Sequence, residues 1–281
     1  MTWPKSCAGT WRRTTRSLGA AATACGVLAT LTAGCGTRST TPLAAPRPPV
    51  VADPGVLARR LAAVQPEWPA RRVVDCRRRK CVALTFDDGP GEYTGKLLDL
   101  LRARHARATF FVLGEMVAAD HAGFTRRMVE DGHELGNHSW SHPPLTAMSD
   151  ERLRSELADT EAIVQRTTGV RMRLMRPPYG ETDARVAAQA RLEGLAQILW
   201  TVDTLDWRDR DSRIVARRAG AAAPGSIVLM HDIHPTSVAA VPGVLDTLAK
   251  KGYRFVTVSE LYGRTPLPGR TYSGAGTAKE R

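Results

Sequence analysis

The sequence predicts an α/β protein built on a parallel sheet. Short apolar runs alternate with amphipathic stretches from residue 81 to about residue 262, and most runs stop at polar or turn-forming residues. Such repeats are typical of parallel sheets, closed or open, because each helix returns the chain to the start of the next strand. The chain has 281 residues, 43% of them hydrophobic, which suffices for one substantial buried core.

Seven apolar runs are predicted as strands. The first, 81–86, is followed by the chain-breaking sequence Asp88-Gly89-Pro90-Gly91. The other six predicted strands are 108–113, 133–136, 171–176, 196–202, 226–230 and 254–258.

Five helices are predicted between these strands. The helix that starts at Ser149 has a suitable N-cap residue, helical spacing of its inward positions up to Val164, and Gly169 as a C-cap. The remaining predicted helices are 94–104, 183–193, 212–223 and 236–251.

The first 34 residues resemble a bacterial signal peptide. Basic residues precede a charge-free run from Leu18 to Ala33, which is too short to span a bilayer comfortably. The run ends in Leu31-Thr32-Ala33-Gly34-Cys35, which resembles a lipobox and predicts a lipid anchor to the membrane at Cys35. The alternative is a buried N-terminal helix followed by an ordinary free cysteine.

Three regions are expected after the signal. Residues 35–75 are rich in Pro, Ala and Thr and should form a tether, because proline removes backbone donors and fixes φ. Residues 76–265 contain the strand–helix repeats and should form a single catalytic domain. Residues 266–281 are predicted to be a disordered tail.

The formal net charge is +12, and half of it lies in residues 1–52. The rest is spread along the chain, apart from the run Arg77-Arg78-Arg79-Lys80. A mildly basic domain suits an anionic surface such as a cell wall or a membrane. The sequence has no aromatic-interleaved basic stripe and no base-reading motif, so nucleic acid is not expected as a partner.

Cys76 and Cys81 are the two cysteines expected to remain as thiols in the folded part. In an oxidising compartment this pair can close a small loop as a disulfide, and two free thiols are an equal alternative. A zinc site would need two further ligands, and the sequence has no second cysteine pair.

Polar clusters follow the predicted strands. In parallel α/β folds the carboxyl ends of the strands meet at one rim, where chemistry is usually located. These clusters are therefore expected to lie together. They are Asp87-Asp88, His138-x3-His142, Arg176-Pro177-Pro178-Tyr179, Asp203-Thr204-Leu205-Asp206 and His231-Asp232.

Two imidazoles and one carboxylate can form the three-ligand, open-position site that a catalytic divalent metal needs. A second carboxylate beside the ligand could accept a proton from water, and a separate imidazole could protonate a departing amine. The Asp87-Asp88 doublet supplies two carboxylates for these two different roles.

Five ordered motifs resemble those of the polysaccharide deacetylase domain, which is carbohydrate esterase family 4 or the NodB-homology domain. The resemblance covers about residues 80–262 and rests on several motifs in order. They are Thr85-Phe86-Asp87-Asp88-Gly89-Pro90, His138-Ser139-Trp140-Ser141-His142, Arg176-Pro177-Pro178-Tyr179-Gly180, Asp203-Thr204-Leu205-Asp206-Trp207 and Leu229-Met230-His231-Asp232.

The resemblance implies a distorted (β/α) barrel with about seven parallel strands. It also implies a divalent metal, usually zinc with cobalt or manganese as alternatives, and a role for each residue of the motifs. Asp88, His138 and His142 would bind the metal.

The other roles follow from the same resemblance. Asp87 would be the general base, oriented by Arg176, and His231 the general acid, held by Asp206. The Tyr179 backbone N–H would stabilise the oxyanion. Tyr179 would also contact the substrate, together with Pro177, Trp207 and Leu229.

The expected function is metal-dependent removal of N-acetyl groups from an amino-sugar polymer of the cell wall, with peptidoglycan favoured. A chitooligosaccharide deacetylase and an acetylxylan esterase are the alternatives within the same chemistry. A wall-binding protein without turnover is the alternative from another class. The location is expected to be outside the cytoplasm, anchored or secreted, and the oligomeric state stays open.

Overall fold

A computed structural model describes residues 74–275 of the chain. Within this part the strands are β1 Cys81–Asp87, β2 Thr109–Val112, β3 Glu134–Asn137, β4 Leu174–Met175, β5 Ala196–Ile198, β6 Val202–Asp203, β7 Ile227–His231, β8 Arg254–Phe255 and β9 Thr271–Tyr272. The helices are α1 Thr94–Ala103, α2 Gly114–Ala118, α3 Phe124–Glu130, α4 Asp150–Thr168, α5 Ala184–Leu192, α6 Asp206–Asp209, α7 Ser212–Gly220, α8 Pro235–Lys250 and α9 Val258–Leu261.

The strands form one parallel sheet in the order β6-β7-β1-β2-β3-β4-β5-β9, and β8 pairs with the beginning of β1. An antiparallel bridge between Ser226 and Gly274 joins the segment after β9 to the start of β7. The sheet therefore curls round on itself, and the predicted distorted (β/α) barrel is confirmed.

The described part of the chain has nine strands rather than about seven. The predicted strand 196–202 is interrupted because its middle changes partner. Leu199 N–H donates to Tyr272 O at 2.7 Å, whereas Thr201 N–H donates to Ile227 O at 3.0 Å. This change of partner separates β5 from β6, and the second additional strand is β9.

The prediction of a disordered tail from residue 266 is wrong for residues 266–275. β9 pairs with β5, Tyr272 is buried, and Ala275 N–H donates to Gly225 O at 2.9 Å. Gly225 has φ +84°, and a Cβ there would lie 2.1 Å from Ala275 O. A two-residue strand among glycine, serine and threonine gives no periodic signal, so only its tertiary contacts reveal it.

Residues 1–73 and 276–281 lie outside the described part. The signal peptide, the lipid anchor at Cys35 and most of the tether therefore stay predictions. Among residues 74–275, no helix combines the length and the apolar character needed to cross a bilayer. Cys76 and Cys81 form a disulfide with a Cα–Cα distance of 5.5 Å, so they are not free thiols.

Core packing and strand register bring the carboxyl ends of the strands to one rim. All seven residues of β1 are buried, and α4 buries Leu153, Leu157, Thr160 and Val164, the residues at helical spacing. Ser149 caps that helix by accepting from Arg152 N–H, and Gly169 ends it with φ +76°, as predicted. β1 is paired in register with both β2 and β7, which brings Asp87 level with Phe111 and His231.

Candidate active site

Three predicted metal ligands meet at the rim. The Nε2 atoms of His138 and His142 lie 3.4 and 3.6 Å from Asp88 Oδ1. The backbone carbonyl of Arg176 lies 2.7 Å from His138 Nδ1, which directs the other ring nitrogen towards Asp88. Burial alone would raise the pKa of Asp88, but the adjacent imidazoles, His138 first, hold it below its usual value.

This cluster fits a divalent metal by the chemistry of its donors. One ligand atom from each of the three residues lies within 4.8 Å of the others. Asp88 Oδ1 is buried and has no hydrogen-bond partner among the described residues. Two imidazole nitrogens and one carboxylate oxygen suit a metal such as zinc, which needs three protein ligands and one open position for catalysis.

A carboxylate on α4 holds the loop between the two histidines. Glu156 Oε2 accepts the backbone N–H groups of Trp140 at 2.7 Å and Ser141 at 2.9 Å, and Oε1 accepts the Ser141 hydroxyl at 2.9 Å. The Ser139 hydroxyl accepts His142 N–H at 3.0 Å. Since Ser139 and His142 both have positive φ, these bonds stabilise an unfavourable turn that brings the second imidazole to the first.

Asp87 is paired with a fully buried arginine. Arg176 Nη1 donates to Asp87 Oδ1 at 2.7 Å and to the Thr85 hydroxyl at 2.8 Å. Its Nε donates to Ile198 O at 3.0 Å, and the guanidinium lies 4.2 Å from the centre of the Phe111 ring. Burial lowers the pKa of Arg176, which the charge of Asp87 opposes. Arg176 therefore fixes one carboxylate oxygen of Asp87.

The second oxygen of Asp87 points to the cluster of Asp88, His138 and His142, which we call the metal-type cluster. Its Oδ2 lies 3.7 Å from His138 Nε2, and the residue is buried. The two neighbouring aspartates are thus placed differently: Asp88 lies against both imidazoles, and Asp87 lies between the arginine and the cluster. The sequence predicted that Asp88 binds a metal and Asp87 acts as a base, and these roles stay predictions.

His231 lies at the end of β7, in register with Asp87, and contacts a buried carboxylate. Asp206 Oδ1 is 2.8 Å from His231 Nδ1, and Asp206 Oδ2 accepts His231 N–H at 2.8 Å. Ser237 in α8 donates to the same carboxylate at 2.5 Å. Burial opposes protonation of the imidazole, but the hydrogen bond and charge of Asp206 raise the pKa of His231 to about 9.

The predicted substrate contacts surround this centre. Tyr179 and Trp207 are 63% and 48% exposed, whereas Leu229 is buried two residues before His231 in β7. The Tyr179 hydroxyl donates to His142 O at 3.3 Å, and Trp207 N–H donates to Asp206 Oδ1 at 3.0 Å. Pro177 is buried beside Arg176. The structure thus brings these residues to the rim, and their roles stay predictions.

Two supporting residues were missed from the sequence, and a third was found without a role. Ser237 and Glu156 act from helices, and no spacing relates them to the motifs. Asp232 is fully buried, and its carboxylate accepts a hydrogen bond from the Thr94 hydroxyl. Gly89 lies so close that a Cβ on Gly89 would be 2.3 Å from the Asp232 carboxylate. Burial raises the pKa of Asp232 to about 7. The sequence analysis placed Asp232 at the rim beside His231 but predicted no role for it.

The fold and the site define a (β/α)-barrel protein with a metal-type cluster flanked by a carboxylate–arginine pair and an imidazole–carboxylate pair. Residues 75–198 match the polysaccharide deacetylase family. The chain belongs to this family, as the sequence motifs predicted.

Known relatives agree with this membership. The chain is 43% identical over 202 residues to the peptidoglycan-N-acetylglucosamine deacetylase PgdA of Listeria monocytogenes, covering 71% of this chain and 42% of that protein. It is 37% identical over 210 residues to a chitin deacetylase of Colletotrichum lindemuthianum, covering 69% of this chain and 84% of that protein. The chain thus spans less than half of the bacterial relative.

A solved structure shares the fold. The structure described as T48 deacetylase with substrate is 44% identical to this chain, with a TM-score of 0.68. The match covers 71% of this chain and all of the other.

Proposed function

We propose that this protein is a divalent-metal-dependent hydrolase that removes N-acetyl groups from peptidoglycan outside the cytoplasm. The observation that carries the proposal is the meeting of three groups at one rim: the cluster of Asp88, His138 and His142, the Asp87–Arg176 pair and the His231–Asp206 pair. Each group on its own has other uses, but together they can supply the metal site, the base and the acid of a metal-dependent amide hydrolysis.

A bound divalent metal would lower the pKa of a water molecule and polarise the carbonyl of the acetyl group. Asp87 accepts the proton of that water at Oδ2, because Oδ1 is held by Arg176 at 2.7 Å. The buried guanidinium of Arg176 holds the Asp87 carboxylate in place for this transfer. The Tyr179 N–H is the proposed donor to the oxyanion.

His231 supplies a proton to the departing amine. Its Nδ1–H is directed to Asp206, so Nε2 carries the proton that is transferred. With a pKa raised to about 9, the imidazole is charged at neutral pH and can donate. The acid and the base come from neighbouring strands at the same register position, so both side chains emerge at the same level of the rim.

Peptidoglycan is the proposed polymer. The PgdA relative acts on N-acetylglucosamine in peptidoglycan, and the basic charge and the predicted export signal suit a position beside the wall. We propose zinc as the metal, with Pro177, Trp207 and Leu229 bordering the site of the acetyl group. A lipid at Cys35 would keep the enzyme at the membrane, and mass spectrometry of the mature N-terminus would detect that lipid.

The polymer is tested by measuring acetate release from a panel of substrates. De-cross-linked peptidoglycan should release acetate faster than chitin oligomers or acetylated xylan. Hydrolysis of acetylxylan alone would contradict the proposal and indicate an esterase. A chain that binds peptidoglycan but releases no acetate from any substrate would be a wall-binding protein.

A further inference from the structure

A disulfide-closed loop at the base of the barrel presents four consecutive cations. The base is the end where the strands begin, opposite the rim that carries the site. The Cys76–Cys81 disulfide closes the loop, which contains Arg77, Arg78, Arg79 and Lys80, and all four are exposed. The N–H groups of Arg78 and Arg79 donate to Asp75 O at 3.1 and 3.0 Å, so the loop is a hydrogen-bonded turn.

Further cations flank this basic loop. Arg254 N–H donates to Lys80 O at 2.7 Å, which places Arg254 directly beside the loop. Lys250 and Lys251 lie at the end of α8, in the turn that leads to β8, and all three flanking residues are exposed. The basic loop and the flanking residues together form what we call the basal patch.

Little negative charge compensates the basal patch. Within residues 74–275, Arg78 is the one member that forms an ion pair, with Asp75 Oδ2 at 3.6 Å, and its side chain stays 87% exposed. Lys251 is bonded to a neutral group, donating to Gly220 O at 2.6 Å. Cations at a helix C-terminus can stabilise the helix through its dipole. The basic loop precedes a strand, so its four cations have no such role.

The basal patch lies at the end of the barrel where the N-terminal region is attached. The described chain begins at Val74, immediately before the loop, so the preceding 73 residues join the barrel at this end. A polymer bound at the rim lies on the opposite side of the molecule. If the N-terminal region is attached to a membrane, the chain enters the barrel from the membrane at the end that carries the basal patch.

We propose that the basal patch binds the anionic phospholipid surface of the membrane and orients the barrel with its site facing away from it. Cations within about one Debye length of such a surface are attracted to it, and the attraction is screened by salt. The disulfide keeps four of the cations together on one turn, so their attraction acts on the same area of headgroups. The proposal concerns binding and stands apart from the hydrolytic function.

The test is a vesicle-binding assay with the full chain. Wild-type protein is compared with a variant carrying Arg77→Gln, Arg78→Gln and Arg79→Gln. The matched control removes three exposed arginines from the first turns of α4 and α7, at the rim end, and has the same net charge: Arg152→Gln, Arg154→Gln and Arg213→Gln. Vesicles are made from phosphatidylcholine with or without phosphatidylglycerol.

The loop variant should bind phosphatidylglycerol vesicles about tenfold or more weakly than wild type, and the difference should disappear at high salt. The control variant should lose less than about threefold. All variants should bind phosphatidylcholine equally and keep the melting temperature of wild type.

Three results would overturn the proposal. Equal losses in the two variants would assign the effect to net charge alone. Wild-type binding that is the same with and without phosphatidylglycerol would exclude anionic lipid recognition. Tight, loop-dependent binding to soluble polyglycerol phosphate, without preference for anionic vesicles, would assign the basal patch to a wall polymer. A failure to release acetate would leave all three readouts unchanged, so the two proposals fail separately.

Discussion

The substitution Asp206→Asn tests how His231 acts as an acid. Asp206 contacts the His231 ring at 2.8 Å, and the pKa of the ring rises from the ordinary 6.5 to about 9. That difference corresponds to about 3 kcal/mol in favour of the charged imidazole. An asparagine keeps the size of the side chain but removes the charge, so burial then lowers the pKa of His231 against only the smaller attractions of Asp87 and Asp88.

Two assays measure the consequence. NMR titration of metal-free protein should show the His231 pKa falling from about 9 to 6.5 or below, with the resonance assigned by His231→Gln. The alkaline limb of the pH–rate profile should move in the same direction, and activity at pH 8 should fall by about 30-fold from loss of the protonated form alone.

Controls separate charge from packing. Ser237→Ala removes one hydrogen bond to Asp206 but keeps its charge, so the His231 pKa should stay close to that of wild type. An unchanged His231 pKa in a folded Asp206→Asn protein would refute the role given to this carboxylate.

Four further predictions follow from the geometry. Asp88→Ala should abolish metal binding, measured by titration, while Asp87→Asn should keep the metal and lose activity; equal metal loss would contradict their separate roles. Glu156→Gln should weaken metal affinity about 10- to 100-fold, because Glu156 holds the loop between the two histidines. The melting temperature of metal-free protein should fall less than in a core truncation. Unchanged affinity would show that the loop keeps its conformation without Glu156. The raised His231 pKa should add to the stability of metal-free protein against denaturant; this contribution is complete below pH 6.5, is lost as pH rises through about 9, and is absent in Asp206→Asn. Gly225→Ala should cost about 1–3 kcal/mol of unfolding free energy by urea titration, because φ is positive and Ala275 O is too close for a Cβ; wild-type stability would mean that the β9 segment does not close the sheet.

The sequence predicted those parts of the molecule whose signal is local. The strand–helix alternation gave the fold class, and the motifs located every member of the metal-type cluster. A contact between Thr85 and the site could also have been predicted. Residues two apart in a strand lie on the same face, so Thr85 shares a face of β1 with Asp87.

Other contacts depend on tertiary structure. Ser237 reaches Asp206 across 31 residues, and Glu156 reaches Trp140 across 16, at spacings that no motif encodes. The break between β5 and β6 arises because Leu199 and Thr201 bond to different strands, which the continuous apolar sequence does not reveal. β9 has only two residues, too few to show a period, and it is held by its pairing with β5.

Acetate release from de-cross-linked peptidoglycan, measured before chelation, after chelation and after return of zinc, shows whether Asp88, His138 and His142 hold a catalytic metal. The purified chain should release acetate, lose this activity on chelation, and recover it with zinc in wild type but not in Asp88→Ala. Release that survives complete removal of metal would contradict the role given to Asp88, His138 and His142, and no release with any divalent metal would contradict the hydrolytic function itself.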